Sequence, residues 1–133
     1  MINTENKPVG YSSVTPYFTV ENADQLMAFL ESAFGATLIK ESRYLNGRVQ
    51  HARMLVGDSV IMMNEGSAAY PVNVSQMHLF VEDCDSTYDV ALLAGATSIM
   101  EPNGRPHGDR MAGVTDPCGN IWWLATHQPS PQL

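Results

Sequence analysis

Apolar residues along the chain follow two rhythms, one of two residues and one of three to four, and these alternate in the same order twice. Ser13 to Val20 reads as a strand. Asn22 or Asp24 then caps a helix in which Leu26, Phe29, Leu30, Ala33 and Phe34 recur at the spacing of one helix face. Gly35 supplies the left-handed position that stops it. Ala36 to Arg43 reads as a second strand, followed by a hairpin turn at Asn46-Gly47. Arg48 to Val56 and Ser59 to Asn64 are two further strands, joined tightly at Gly57-Asp58.

The plan then repeats. Ser75 to Glu82 is a strand, and Asp83 or Asp85 caps a helix that carries Tyr88, Ala91 and Leu92 and stops at Gly95. Thr97 to Glu101 is a strand, and Pro102 to Gly108 a loop. Arg110 to Thr115 and Asn120 to Thr126 close a hairpin across Asp116-Pro117-Cys118-Gly119. The residues themselves repeat as well. Val20-Glu21-Asn22-Ala23-Asp24 leads to Gly35-Ala36-Thr37-Leu38-Ile39, and Val81-Glu82-Asp83-Cys84-Asp85 leads to Gly95-Ala96-Thr97-Ser98-Ile99. Self-similarity of this length, with only two copies, predicts two copies of one unit and no solenoid. The expected class is α+β: an N-terminal arm over 1–12, a βαβββ module over 13–65, a second over 74–127 and a tail over 128–133.

Hairpin registry sorts side chains by face, because they alternate along a strand. Across Gly57-Asp58, Ala52, Met54, Val56, Ile61 and Met63 share an apolar face, while His51, Arg53, Met62 and Asn64 share the other. Phe18 and Val20 oppose Thr15, Tyr17 and Thr19. In the second copy Met77, Leu79 and Val81 oppose Gln76, His78, Phe80 and Glu82, and Trp122 and Leu124 oppose Ile121, Trp123 and Ala125. The apolar face suits a helix. The mixed face either meets water, as is usual for antiparallel sheets, or lines a small-molecule pocket. Aromatic groups interleaved with His and Arg favour the pocket.

Bulk properties remove several classes. Hydrophobic residues make up 44% and charged residues 16%, which is globular. Seven basic against fourteen acidic residues give a net charge of −7, an unsuitable balance for nucleic acid or an anionic membrane. No apolar run is long enough to span a bilayer, and Met1 to Gly10 has no signal core, so the default expectation is cytoplasmic. Cys84 and Cys118 stand in no metal or redox spacing and read as incidental reduced thiols.

A doubled βαβββ unit with a closing Asp-Pro-x-Gly-Asn turn resembles the vicinal-oxygen-chelate superfamily, which includes glyoxalase I, extradiol dioxygenases and the bleomycin- and fosfomycin-resistance proteins. Three segments look PhnB-like. They are His51-Ala52-Arg53-Met54 running to Gly57-Asp58-Ser59-Val60, then Phe34-Gly35-Ala36, and Gly108-Asp109-Arg110 running to Asp116-Pro117-Cys118-Gly119-Asn120. The resemblance implies paired modules forming an incomplete barrel around a cleft, commonly in a homodimer. It also implies metal ligands, usually His and Glu, on the first and last strand of each module. Thr15, Met62, Gln76 and Trp123 stand at those places, and none is the usual ligand. The expectation is therefore a cleft with no metal and no cofactor. An unorthodox set from His51, His78 and Glu65 or Glu82 is the alternative.

Candidate ligand-binding residues are Tyr17, His51, Arg53, Met62, Gln76, His78, Phe80, Arg110 and Trp123. The two histidines can exchange protons near neutral pH and are the catalytic candidates. Arg53 and Arg110 can clamp a carboxylate or phosphonate, and Tyr17, Phe80 and Trp123 can stack on a flat ligand. Arg110 faces the pocket only if Pro117-Cys118 is a two-residue turn. His107 and Asp109 lie in a loop that could act as a lid. Two functions stay open: a protein that binds a small molecule without turning it over, an aromatic or cationic compound suiting the net negative charge and aromatic cleft, or a lyase, isomerase or dioxygenase-type enzyme using His51 or His78.

Overall fold

Each half of the chain builds one open four-stranded sheet and one helix in the order βαβββ. The computed structural model describes residues 1–106 and 108–128. The chain divides into two units between Asn73 and Val74.

The first unit contains β1 (Tyr17–Val20), α1 (Ala23–Phe34), β2 (Thr37–Arg43), β3 (Val49–Val56) and β4 (Ser59–Glu65). Its sheet runs β1-β4-β3-β2, with β1 parallel to β4 and the other pairs antiparallel. Asn22 caps α1 by accepting from the Gln25 N–H, and Gly35 ends it at φ 66°. Both caps satisfy backbone groups that the helix leaves orphaned. The apolar stripe Leu26, Phe29, Leu30 and Ala33 is buried together with Phe18, Val20, Ala52, Met54, Ile61 and Met63, and α1 packs on β3 and β4. Burying each large side chain contributes about 1.5–3 kcal/mol.

The second unit repeats this with β5 (Gln76–Phe80), α2 (Cys84–Leu93), β6 (Thr97–Gly104), β7 (Arg110–Thr115) and β8 (Ile121–Thr126). Its order is β5-β8-β7-β6, with β5 parallel to β8. Asp83 caps α2 by accepting from the Ser86 N–H. Tyr88, Ala91, Ala112, Val114, Trp122 and Leu124 are buried on its helix side. No helix among the described residues is long and apolar enough to cross a membrane.

Several boundaries differ from expectation; β5, for example, ends at Phe80 and leaves Glu82 beyond the strand. β1 starts at Tyr17, not Ser13, because Pro16 has no N–H to donate; its carbonyl still accepts from Met62. β6 continues through Pro102 to Gly104, which an outer strand tolerates. The last hairpin does not close with two residues. Thr115 pairs with Ile121, the Asp116 N–H donates to the Asn120 carbonyl, and Gly119 takes φ 87°. The buried Asp116 carboxylate collects the backbone N–H groups of Cys118 and Asn120 and the Trp122 Nε1–H. Three residues thus lie between Asp116 and Asn120, and this shifts β7 by one place.

The helix starts are secured alike in the two units. Glu65, at the end of β4, accepts the backbone N–H of Ala23 through Oε2 and that of Val49 through Oε1. Thr126, at the corresponding end of β8, accepts the Cys84 N–H and donates to the Val81 carbonyl. Glu65→Ala strands two amides, so it should lower the unfolding free energy by about 1–3 kcal/mol. Urea denaturation followed by circular dichroism measures that loss, and Glu65→Gln should recover part of it.

Candidate functional site

The helix-free face of the first unit carries a hydrogen-bonded row of four side chains. Tyr17 on β1 reaches over β4 to His51 on β3, with Oη 3.1 Å from Nδ1. Arg53, two residues along β3, donates from Nε to His51 Nε2 at 2.9 Å and from Nη1 to the Tyr11 hydroxyl at 3.2 Å. The guanidinium also lies over the Tyr11 ring, 5.7 Å from its centroid, a cation–π contact. Met62 pairs with both Tyr17 and Arg53 and lies between them on β4. Beside it Thr19 donates to Asn64 Oδ1 at 2.8 Å.

This row determines where the protons sit. A guanidinium N–H can only donate, so His51 Nε2 must offer its lone pair and the ring carries its proton on Nδ1. That proton points to the Tyr17 oxygen, which leaves the Tyr17 O–H free to donate elsewhere. Burial, with the nearby charges of Arg53 and Lys40, pushes the His51 pKa below its ordinary value and keeps the ring neutral. Burial likewise raises Tyr17, holding the phenol protonated. Tyr17 is 45% exposed, so its free proton faces an accessible surface.

The second unit carries a different set on its helix-free face. Gln76, His78 and Phe80 pair in parallel register with Ile121, Trp123 and Ala125. The Trp123 Nε1–H donates to Gln76 Oε1 at 2.6 Å. The His78 and Phe80 rings meet edge to face at 4.7 Å. Gly113 pairs with Trp123, and a Cβ there would stand 2.4 Å from the indole ring. The six-membered ring of the indole therefore comes close against the backbone of β7, where a side chain would block it. Phe80 is 64% exposed. This face is a ring-lined platform with few charges.

The sequence reading placed Tyr17, His51, Arg53 and Met62 together, and the first unit brings them together. Gln76, His78, Phe80 and Trp123 share the second unit's face as expected. Arg110 is a correction. The three-residue turn puts it opposite Thr126 on the helix side with Ala112 and Val114, away from Trp123. There it forms a two-pronged ion pair with Asp85, at 2.6 and 3.0 Å. Glu65 is a second correction to the alternative metal set, since it pairs with Val20 on the helix side of β4 and its oxygens hold backbone amides. Asp109, in the loop read as a plain turn or a lid, is buried and bonded to His127 Nδ1 at 2.7 Å; His107 lies outside the described residues. Tyr11 was missed because it lies in the arm, outside any periodic element. Gly113 was legible: an isolated glycine in a strand marks close approach of another group. Two open hollows, near 580 and 530 Å³, flank the starts of α2 and α1, and neither includes a residue of these two faces.

The profile of the glyoxalase/bleomycin resistance protein/dioxygenase superfamily matches residues 13–124. The chain belongs to that superfamily. Mb0911c of Mycobacterium bovis, itself uncharacterised, is 28% identical over 123 residues, covering 84% of this chain and 81% of that protein. Among solved structures, TioX from Micromonospora sp. ML1 superposes with a TM-score of 0.72 at 21% identity, covering 91% of this chain and all of TioX. The fosfomycin resistance protein FosX from Mesorhizobium loti gives 0.62 at 18% identity, covering 86% of this chain and 91% of FosX. These two likenesses establish the superfamily's fold for both units.

The superfamily implies a metal, and the donors at the expected places do not suit one. Trp123 offers only an N–H, which Gln76 Oε1 already accepts. Met62 offers a soft thioether and Thr15 a hydroxyl, poor ligands for a divalent cation. Among the described residues, no three His, Cys, Asp or Glu side chains gather as a metal-holding group.

The proton arrangement can be measured directly. The His51 ring signals in an NMR titration should reach their midpoint below the ordinary histidine value. Arg53→Gln should move that midpoint upward, because it removes one of the charges that disfavour imidazolium.

Proposed function

We propose that this superfamily member binds a small molecule on its helix-free faces, without a metal and without turning it over. The observation that carries this reading is the Tyr11–Arg53–His51–Tyr17 row, which holds an exposed hydroxyl in one orientation with its proton unspent. Fixing polar side chains in advance spares a ligand the entropy of ordering them. The second unit's own helix-free face, with Trp123, Phe80 and His78, separately offers flat surface suited to stacking. Bleomycin resistance in the superfamily's description and fosfomycin resistance in a resembled structure support a small molecule as the thing bound.

The catalytic alternative makes His51 or His78 a general base, and for His51 the geometry weighs against it. A base needs an open lone pair, whereas His51 Nε2 accepts from Arg53 and Nδ1 faces Tyr17. The finer PhnB-like kinship, a cytoplasmic location and a homodimer belong to the same reading. Sedimentation of the purified chain would test the dimer.

A thermal-shift screen of small organic compounds tests the binding itself. Ligands should raise the melting temperature by mass action, by about 2.7 kcal/mol of added stability at a hundredfold excess over Kd. EDTA and divalent cations should leave it unchanged. A stoichiometric metal in protein purified without chelator, with loss of stability on its removal, would reverse the reading.

A further inference from the structure

We propose that the helix-free face of the first unit recognises an oxyanion, in the first instance the carboxylate of a small ring-bearing acid, through the Tyr17 O–H and the Arg53 Nη2. The proposal rests on the binding reading above and adds the chemical class of the ligand. Its basis is what the face offers once internal hydrogen bonds are satisfied. The Tyr17 oxygen faces His51 Nδ1–H, so the phenol has a proton to give. Arg53 spends Nε on His51 and Nη1 on Tyr11, leaving the Nη2 group. Asn64 Oδ1 accepts from Thr19, leaving its amide N–H groups. The uncommitted groups are mainly donors, and a carboxylate brings only acceptors.

Charge sorts the same way. On the four strands of this sheet the acids are Glu41 and Glu65, and they pair with Ala52 and Val20 of the helix side. On the other face Lys40 pairs with Arg53 and Ser42 with His51. Lys40 and Arg53 therefore stand together on that face, with no carboxylate beside them from the four strands. The chain's net charge of −7 does not cancel this, because exposed charges beyond about 10 Å are largely screened at 0.1 M salt. The Tyr17 ring and the Met62 thioether supply apolar surface for the body of the ligand.

Three probes of one shape and different charge decide the matter: benzoate, benzamide and benzylamine, each titrated into the full ¹⁵N-labelled chain by NMR. Benzoate should shift amides of β1, β3 and β4 and bind about tenfold tighter than benzamide, with benzylamine weaker still. Arg53→Gln should weaken benzoate by about tenfold and Tyr17→Phe by several-fold, while benzamide changes less. Lys40→Gln lies outside the hydrogen-bonded row and should weaken benzoate by about two- to threefold, so the idea remains testable if Arg53→Gln does not fold. Equal or tighter binding of benzamide or benzylamine on those strands would overturn the proposal, as would no benzoate response at millimolar concentration. Hits in the thermal-shift screen that are neutral or cationic would leave the binding reading standing while this one falls.

Discussion

Parallel pairing of the first and last strands governs each unit. β1 and β4 run the same way, as do β5 and β8, so the chain must return along the outside of the sheet between them. The helix makes that return and covers one face only. Everything apolar follows it: Phe18, Val20, Met54 and Met63 go beneath α1. The opposite face is left without a helix, and the same pairing lays the first strand beside the last. Tyr17 comes to Met62 this way, and His78 to Trp123.

The two copies then use one scaffold for different chemistry. Where the first has Tyr17, His51 and Arg53 joined by hydrogen bonds, the second has His78 against Phe80 and an indole close against Gly113. The support beneath is shared but not identical. Glu65 and Thr126 occupy equivalent strand ends and both accept the first N–H of their own unit's helix, one with a carboxylate and the other with a hydroxyl. The supporting role survives a change of functional group because an N–H needs only an acceptor within reach.

How much of this the amino-acid order reveals depends on the range of the forces involved. The β3–β4 hairpin was readable to the residue, because Gly57-Asp58 permits little besides a two-residue turn and alternation then fixes every partner. Each helix start was readable to within two candidates for the same local reason, Asn22 or Asp24 and Asp83 or Asp85, and Asn22 and Asp83 are the caps. The β7–β8 register was not. It depends on where the Asp116 carboxylate finds its donors, and one of them is the indole of Trp122 on the far side of the turn. A one-place error there moved Arg110 to the wrong face. Within the candidate site the face membership of Tyr17, His51 and Arg53 came from alternation alone. Their bonding order did not, because it needs Tyr11, which belongs to no periodic element.

The outermost strands β2 and β6 have a consequence for how the chain meets other copies of itself. Ile39 and Ile99 are repeat-equivalent, and each falls at a skipped place in the pairing, between Leu38 and Lys40 and between Ser98 and Met100. They are 47% and 45% exposed. A second interruption on β6 spans Pro102, which cannot donate. An unbroken row of unpaired amides would invite runaway strand addition and insoluble fibres. Kinking that row at the same isoleucine in both copies denies an incoming strand a straight template. Greasy side chains at these margins thus sit beside a broken backbone row and not a straight one.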